Sequence, residues 1–492
     1  MTVATELERC DGVAQAELVR SGEVSPLELL EATIRRIEAV NPAVNAVVST
    51  MYDEAERVAT GELPDGPFRG VPFLLKDGGG AAYAGHVASG GSRYLADYVP
   101  EVDGEITRRY KAAGLVCCAK TNLSEFGLQP TTEPELHGPT RNPWDLERMA
   151  GGSSGGAAAA VATRMVPMAN GSDSGGSIRV PAACCGVFGF KPTRMRTSSP
   201  RRDLGMSLRV GLLSEHALTI SVRDSAALLD ATAGGLPGDP FFAALPRRPY
   251  LEELEVAPVP LRIVFSTVAP SGAPLDAECI AAVMDAAKLC EDLGHHVEEG
   301  AAEVDVPALA RAFGHVSAVG MAWDIRNWER KIGKVARAED FEAGTWAAIE
   351  WGRTVGTSAE DLMDAQVTIQ GLCDDIARWS SPYDVWLTPT TGAPPLPLGS
   401  FRATPEEPMR AMTTAMQFLP FTMLQNVTGQ PAMSVPLAWT DAGLPVGVHF
   451  AGPYGDEGLL FRLAGQLEAA RPWADRIPPH NALMDNPGDR LR

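Results

Sequence analysis

The segment AGGSSGGAAAAVATRMVPMANGSDSGGSIRVPAACCGVFGFKPT, residues 150–193, carries the strongest structural signal in the chain. It contains two glycine- and serine-rich loops, GGSSGG (151–156) and SDSGGS (172–177), with the apolar run VPMAN (166–170) between them. Loops of this composition are often flexible linkers. Here the first opens onto AAAAVA and the second onto a short helical pattern, so both are predicted to join strands and helices rather than domains.

The segments on either side predict an α/β fold. VPFLLK (71–76) and LVCCAK (115–120) have the length and apolar content of buried strands, and EITRRYKAAG (105–114) predicts a helix between them. Residues 262–300 repeat the order strand, helix, strand. This alternation is typical of a sheet that is at least partly parallel, in which functional loops leave the carboxyl ends of strands.

One helix boundary is unusually well marked near the start of the chain. Ser25 followed by Pro26 and Glu28 is the pattern of a capping box, so a helix is predicted to begin there. Apolar residues then recur at helical spacing, and Asn41-Pro42 is predicted to end the helix.

Composition disfavours several classes of function. The chain has 42 Lys+Arg against 62 Asp+Glu, for a net charge of −20, and no basic run longer than Arg-Arg pairs such as those at 201–202 and 247–248, so nucleic-acid binding is not expected. No apolar run of about 18 residues predicts a membrane span. The segment MTVATELERCDG (1–12) lacks the features of a signal peptide. Eight cysteines without metal-type spacing predict buried thiols in a reducing compartment, and hence a cytoplasmic protein.

A serine nucleophile is one interpretation of the two loops. SDSGGS places small residues before a predicted helix, where consecutive backbone N–H groups can form the concave, positive site that an oxyanion requires. A serine hydroxyl also needs a base, but none of the eight histidines lies in a triad pattern and no GxSxG elbow is present. Lys76 ends a predicted strand and could reach the loops. On local sequence alone, however, a solvated lysine paired with Asp77 is the better interpretation.

The combined motifs resemble the amidase signature family. The resemblance rests on GGSSGG followed by SDSGGSIRVPAACCGVFGFKPT, with FLLKD (73–77) and KTNLSEFG (120–127) upstream and NVTGQPAMSVP (426–436) downstream. It covers nearly the whole chain and implies a single amidase domain over residues 1–492, folded as a central mixed, twisted β-sheet with helices on both faces. The parts of this domain would be core motifs at 71–195, a Pro-rich excursion at about 235–262 and a substrate-side helical region at about 305–410.

The resemblance further implies a Ser–cis-Ser–Lys triad that needs no metal and no cofactor. Matched by position, Ser177 is the nucleophile, Ser153 is the bridging serine after a cis bond from Gly152, and Lys76 is the ultimate base. The amide would be cleaved through an acyl ester on Ser177. The oxyanion hole would consist of the backbone N–H groups of Ser174, Gly175, Gly176 and Ser177. The supporting residues would be Ser154, Asp173 and Arg179.

The substrate pocket is less defined. Phe126 and Asn122, both in the KTNLSEFG segment, match pocket positions of the family, although a purely structural core position is an equal alternative for Phe126. The helix around 315–323 and the long Pro-rich loop at 388–408 are candidate walls.

The chain is similar in particular to 6-aminohexanoate cyclic dimer hydrolases, on TTEPELHGPTRNPW (131–144) and SVRDSAALLD (221–230). A small linear or cyclic amide is therefore the predicted substrate. DGGGAAYAG (77–85) and AGGSSGG depart from the commoner family pattern, which leaves carbamates and aryl amides open. A glutaminase subunit of a tRNA amidotransferase and a non-catalytic binding protein on the same scaffold are further alternatives. The sequence also leaves a homodimer open.

Overall fold

The computed structural model describes residue 7 and residues 9–198, 212–239, 241–257, 259–354 and 358–483. The prediction of no signal peptide depends largely on residues 1–6 and 8, which lie outside the described residues, as does the Arg-Arg pair at 201–202.

Within the described residues, eleven strands form one mixed sheet and two more form a short ribbon. In chain order the strands are β1 (Val47–Thr50), β2 (Pro72–Lys76), β3 (Val116–Thr121), β4 (Arg141–Asn142), β5 (Asp145–Met149), β6 (Met168–Asp173), β7 (Phe188–Lys191), β8 (Ser214–Thr219), β9 (Arg262–Phe265), β10 (His296–Glu299), β11 (Val385–Pro389), β12 (Ala432–Trp439) and β13 (Pro445–Ala451). The sheet order is β1-β3-β2-β6-β8-β7-β12-β13-β11-β9-β10, and β4 pairs with β5. β2 is parallel to β3 and β6, and β9 is parallel to β10 and β11, whereas the other pairs in the sheet are antiparallel.

The α-helices surround this sheet. In the described ranges they are α1 (Gly12–Ser21), α2 (Pro26–Val44), α3 (Tyr52–Thr60), α4 (Glu105–Ala112), α5 (Gly155–Ala162), α6 (Arg179–Cys185), α7 (Val222–Thr232), α8 (Tyr250–Glu253), α9 (Ala277–Asp292), α10 (Val306–Ile332), α11 (Ala343–Thr354), α12 (Ala359–Ser380), α13 (Arg410–Phe418), α14 (Thr422–Thr428) and α15 (Glu457–Ala470). The strands and helices predicted at 71–76, 105–114, 115–120 and 262–300 are all present, and the helical region expected at about 305–410 contains α10 to α12 and begins α13 at its end.

Both faces of the sheet need a helical cover because successive strand residues point to opposite sides. In β2, Leu74 joins the apolar core beneath α2, α3 and α5, whereas Phe73 and Leu75 join the core beneath α1, α4 and α7. In β11, Leu387 packs with α7, α9 and α15, and Trp386 packs with α10, α12 and α14. The mixed sheet with helices on both faces confirms the predicted fold class.

The helix predicted from Ser25 begins there but ends later than expected. The Ser25 side chain accepts from Glu28 N, and the Glu28 carboxylate accepts from Ser25 N, which completes the capping box. The prediction that Asn41-Pro42 ends the helix is wrong, since α2 continues through Pro42 to Val44. Asn45 ends it in the left-handed region with φ of 52° and donates its N–H to Asn41 O at 2.8 Å. Pro42 lacks only one donor, so one further turn can form around it.

The fold brings the two glycine- and serine-rich loops to one edge of the sheet. β2 and β6 are parallel neighbours, so their carboxyl-terminal residues Lys76 and Asp173 lie at the same edge. GGSSGG enters α5, and SDSGGS leads from β6 into α6. The two loops therefore meet at the carboxyl end of β2, beside Lys76.

Three further findings concern thiols, membranes and metals. All eight cysteines are free, and six of them are buried. No helix in the described part of the chain is both long and apolar enough to cross a membrane. The same residues contain no group of three or more His, Cys, Asp or Glu side chains arranged to hold a metal ion.

Candidate active site

Lys76 is a buried lysine whose amine lies among serine hydroxyls. It is the last residue of β2, and only 2 % of it is exposed. Its Nζ is hydrogen-bonded to Ser153 Oγ at 2.7 Å, to Ser154 Oγ at 2.9 Å and to Ser172 Oγ at 3.0 Å. A hydroxyl can accept from an ammonium or donate to a neutral amine, so these contacts suit both protonation states. The solvated lysine that local sequence favoured is therefore wrong.

The surroundings of Lys76 make it a usable base. Burial lowers the pKa of Lys76 from 10.5 to about 8, and the carboxylates of Glu215 and Asp173 oppose that shift. A lysine with this pKa keeps a substantial neutral fraction near neutral pH, and the neutral amine is the form that can take a proton.

Ser153 is enclosed between Lys76 and a glycine of the KTNLSEFG segment. The peptide bond from Gly152 to Ser153 is cis, which is the geometry that the resemblance implied. Across from Lys76, Gly127 has φ of +69°, and a Cβ at this position would stand 3.2 Å from Ser153 Oγ. The Ser153 hydroxyl is thus confined to a narrow space beside the amine.

The GGSSGG loop is fixed from two sides. Thr132 Oγ1 donates to Gly151 O at 2.9 Å and accepts from Gly155 N at 3.0 Å. Ser154 N donates to Ser177 O at 3.3 Å, which joins this loop to SDSGGS. The two loops are therefore in direct contact beside Ser153.

Ser177 is partly exposed, in contrast to the buried Ser153 and Lys76. Its hydroxyl forms no hydrogen bond within the ranges that the structure describes. A substrate can therefore reach Ser177 from solvent, while the two buried groups lie behind the loop that holds it.

Three backbone N–H groups near Ser177 remain available to a ligand. Those of Ser174, Gly175 and Ser177 have no acceptor among the described residues, whereas Gly176 N donates to Asp173 Oδ1 at 2.9 Å. Of the four predicted oxyanion donors, three are therefore free to bind a ligand, whereas the N–H of Gly176 already has an acceptor.

Asp173 and Arg179 form a buried ion pair that shapes the loop. Both side chains are fully buried, and Arg179 Nη2 and Nε donate to the two carboxylate oxygens at 2.9 and 3.0 Å. Asp173 also accepts from Ile178 N at 3.1 Å and from Asn426 Nδ2 at 2.9 Å. Burial alone would raise the pKa of Asp173, but the Arg179 charge and these hydrogen bonds hold it well below its ordinary value.

Sequence reasoning missed two polar residues next to the lysine. Ser172 stands inside the SDSGGS motif and binds Lys76 Nζ, yet no role was predicted for it. Glu215, on β8, lies opposite Ser172 on β6. Its Oε1 accepts from Gly80 N at 2.9 Å. Burial raises the pKa of Glu215 to about 7, and the Gly80 N–H and Lys76 oppose the shift.

The two predicted pocket residues differ in their surroundings. Asn122 is fully buried, and its amide donates to Gly138 O and to Thr140 Oγ1, both at 3.0 Å, so in this structure it anchors a loop. Phe126 is partly exposed, with its ring centroid 6.1 Å from that of Phe341. Phe126 directly precedes Gly127, the glycine beside Ser153. The pocket roles of Phe126 and Asn122 both stay predictions.

The arrangement combines the parts that acyl transfer needs. A partly exposed hydroxyl lies beside unpaired backbone donors, and a buried lysine of lowered pKa lies behind it with a serine at hydrogen-bond distance. A hydroxyl, free backbone donors and a partly neutral amine are the kinds of group from which a nucleophile, an oxyanion site and a base can be built.

Comparisons with known proteins show what this chain is similar to. Residues 28–461 match the family model described as Amidase. The chain is 38% identical over 485 residues to a 6-aminohexanoate-cyclic-dimer hydrolase of Paenarthrobacter ureafaciens, covering 95% of this chain and 96% of that protein. A solved structure of a 6-aminohexanoate cyclic dimer hydrolase complexed with substrate superposes with a TM-score of 0.90 at 38% identity, over 96% of this chain and 99% of that one. A bacterial aryl acylamidase superposes with a TM-score of 0.85 at 28% identity, over 97% and 99% of the two chains.

Proposed function

Because the chain belongs to the amidase signature family and is a hydrolase of carbon–nitrogen bonds other than peptide bonds, we propose that it acts through an acyl-enzyme on Ser177. In this proposal Ser153 is the proton relay and Lys76 is the base. The observation that carries it is the 2.7 Å contact between Lys76 Nζ and Ser153 Oγ in a buried site.

Acylation begins with attack of Ser177 Oγ on the carbonyl carbon of the amide. The Ser177 proton passes to Ser153 Oγ while the Ser153 proton passes to the neutral amine of Lys76. The proposal requires a rotamer of Ser177 that brings its Oγ to Ser153 Oγ. The carbonyl oxygen becomes an oxyanion, for which the backbone N–H groups of Ser174, Gly175 and Ser177 are the available donors.

The tetrahedral intermediate then collapses. The C–N bond breaks, the proton returns from Lys76 through Ser153 to the leaving nitrogen, and an ester remains on Ser177. Water attacks this ester, giving its proton to the same relay. Return of that proton to Ser177 Oγ releases the carboxylic acid and restores the enzyme.

The proposed substrate is a small linear or cyclic amide such as the 6-aminohexanoate cyclic dimer or its oligomers. Support comes from the 38% identity, over nearly the full length of both chains, to a hydrolase named for that cyclic dimer. Aryl amides are the second candidate, because the chain superposes well on an aryl acylamidase. Carbamates fit the same triad chemistry.

A substrate panel tests the proposal. Purified protein is incubated with the cyclic and linear 6-aminohexanoate dimers, an anilide, a carbamate and glutamine, and release of the amine is measured against the Ser177→Ala variant. Turnover of a 6-aminohexanoate dimer that is lost in Ser177→Ala supports the proposal. Preferential release of ammonia from glutamine would favour the amidotransferase-type glutaminase. Absence of turnover and of covalent serine labelling would favour a non-catalytic binding protein.

We further propose that the protein is cytoplasmic and that it forms a homodimer. A cytoplasmic location is supported by eight free cysteines, since thiols persist in reducing compartments. A homodimer is the second proposal, and sedimentation equilibrium of the purified protein measures it directly.

A further inference from the structure

Glu215 is a buried carboxylic acid next to the buried lysine of the site. It lies near the start of β8, and 3 % of it is exposed. β8 runs antiparallel to β6 with Glu215 opposite Ser172, and directly opposed side chains lie on the same face of a sheet. Since Ser172 Oγ accepts from Lys76 Nζ at 3.0 Å, Glu215 stands beside one of the hydroxyls that hold the amine.

The glycine segment that follows Lys76 packs against the Glu215 carboxylate. Gly80 N donates to Glu215 Oε1 at 2.9 Å. A Cβ on Gly79 would stand 3.2 Å from Glu215 Oε1 and 3.7 Å from Ser172 Oγ. Both oxygens therefore face the same piece of backbone, and no side chain from residue 79 separates them.

Among the described residues, Glu215 has no cation other than Lys76 to balance its charge. Within the described ranges no lysine or arginine forms an ion pair with it, and Asn170 Nδ2, 3.5 Å from Oε2, is a neutral partner. Asp173 is the other carboxylate whose charge acts on Lys76, but Arg179 already neutralises it in a direct ion pair. Of these two carboxylates, Glu215 is therefore the one that can act as the counter-charge of Lys76.

The other titratable groups around Lys76 and Glu215 do not supply a counter-charge for Lys76. Tyr110 lies on the Glu215 side, and burial together with the Glu215 charge raises its pKa far above its ordinary value, so it is neutral. Asp77 follows Lys76 in sequence, but its carboxylate accepts from the hydroxyl of Ser89, which also contacts His137 Nε2.

We propose that Glu215 is a positioning residue for the base, its carboxylate being the counter-charge for the Lys76 ammonium that forms when Ser177 loses its proton. The inference rests on the proposed triad. When the Ser177 O–H bond breaks and its Oγ bonds to the carbonyl carbon, one proton arrives on Lys76 and a buried cation appears. A buried cation without a partner is unfavourable, and Glu215 offsets that cost without touching the substrate.

The sign of the expected effect follows from the charges. A carboxylate near Lys76 favours the ammonium, so replacing Glu215 by the neutral, isosteric Gln favours the neutral amine at lower pH. The rising limb of the pH–rate profile should move to lower pH by about one unit. The plateau rate should fall by about tenfold, because the ammonium formed in the transition state lacks its counter-charge.

The test is the pH dependence of Ser177 labelling by a fluorophosphonate, measured as a second-order rate by intact mass for the wild type, Glu215→Gln and Glu215→Asp. Asp keeps the charge but moves it away from Lys76, so its limb should shift in the same direction by less. If Glu215→Gln does not fold, the pH profile of Glu215→Asp alone tests the proposal. Glu468→Gln is the matched control, since Glu468 is a partly buried carboxyl on α15 that accepts from Val222 N at 3.2 Å, and its profile should equal the wild type.

The outcomes separate this inference from the proposed function. Wild-type Ser177 that resists labelling at every pH would contradict the triad itself. Wild-type labelling with a limb that stays in place, or moves to higher pH, in both Glu215 variants would overturn the role of Glu215 alone. A lower rate at all pH values without a shift of the limb would mean a structural role and would also overturn it.

Discussion

Lys76 Nζ lies 2.7 Å from Ser153 Oγ, and each residue is only 2 % exposed. A buried amine beside a buried hydroxyl can exchange a proton without water, and burial keeps that amine partly neutral. The partly exposed Ser177 is joined to this pair through the hydrogen bond from Ser154 N to its carbonyl oxygen. The loop contact thus joins the partly exposed Ser177, the proposed nucleophile, to the buried amine that is the proposed base.

Replacing Lys76 by Met should abolish most activity and leave the fold intact. Met has similar volume and suits a buried position, while the amine that takes the proton is lost. We expect kcat/KM to fall by about 10²–10⁴, measured on the best amide of the panel with circular dichroism as a check of folding. Lys288→Met, at an exposed lysine paired with Asp292, should retain wild-type activity. Activity of Lys76→Met within a few fold of the control would rule out Lys76 as the base.

The rate should rise with pH through the pKa of Lys76. In the proposed mechanism the neutral amine is the active form, and burial lowers the pKa of Lys76 to about 8. Below that pH the neutral fraction, and with it kcat/KM, should increase about tenfold per pH unit, and above it the rate should level off. A kcat/KM profile from about pH 6 to about pH 9.5 measures this. A rate that is flat or falls over that interval is incompatible with a lysine base.

The Asp173–Arg179 pair should be essential for stability. Asp173→Asn removes the carboxylate that balances a fully buried guanidinium. We expect the free energy of unfolding in urea to fall by about 3–5 kcal/mol, the usual cost of leaving a buried charge unpaired. Asp292→Asn, which breaks an exposed pair with Lys288, should leave the unfolding curve unchanged. Equal curves for both variants would show that the buried pair does not stabilise the loop.

Gly127→Ala should impair catalysis more than stability. Its Cβ would stand 3.2 Å from Ser153 Oγ and would crowd the proposed relay. Gly272→Ala is the matched control, because Gly272 has nearly the same φ, +70° against +69°, and no atom within 4 Å of the added Cβ. Both variants should lose about 1 kcal/mol of stability from the backbone strain. Only Gly127→Ala should also lose about tenfold or more in kcat, and equal kcat values would contradict a close fit at Ser153.

The local elements could be predicted from sequence because their signals are local. Apolar runs such as 71–76 and 115–120 became β2 and β3, and the capping box at Ser25 began α2. The end of α2 could not be predicted, since Asn45 closes it after Pro42 has been accommodated. The strand order was not predicted either, because pairing partners such as β7 and β12 are distant in the sequence.

Some residues of the candidate site could be predicted from sequence and others could not. Ser153, Ser177 and Lys76 were predicted because their motifs together resemble one family. Local sequence alone would have assigned Lys76 to solvent. Glu215 was missed because its nearness to Lys76 depends on the register between β6 and β8. Asn122 stays a predicted pocket residue. Both its donated hydrogen bonds go to a neighbouring loop, and only the tertiary structure shows those acceptors.

Covalent labelling tests the central claim most directly. Wild-type protein, Ser177→Ala and Ser380→Ala are treated with a fluorophosphonate and followed by intact mass, with peptide mapping of the adduct. Ser380 is a partly exposed serine at the end of α12, so it controls for loss of any accessible hydroxyl. We predict a single adduct on Ser177 in the wild type and in Ser380→Ala, and none in Ser177→Ala. Labelling of Ser177→Ala at the wild-type rate would contradict the assignment of Ser177 as the nucleophile.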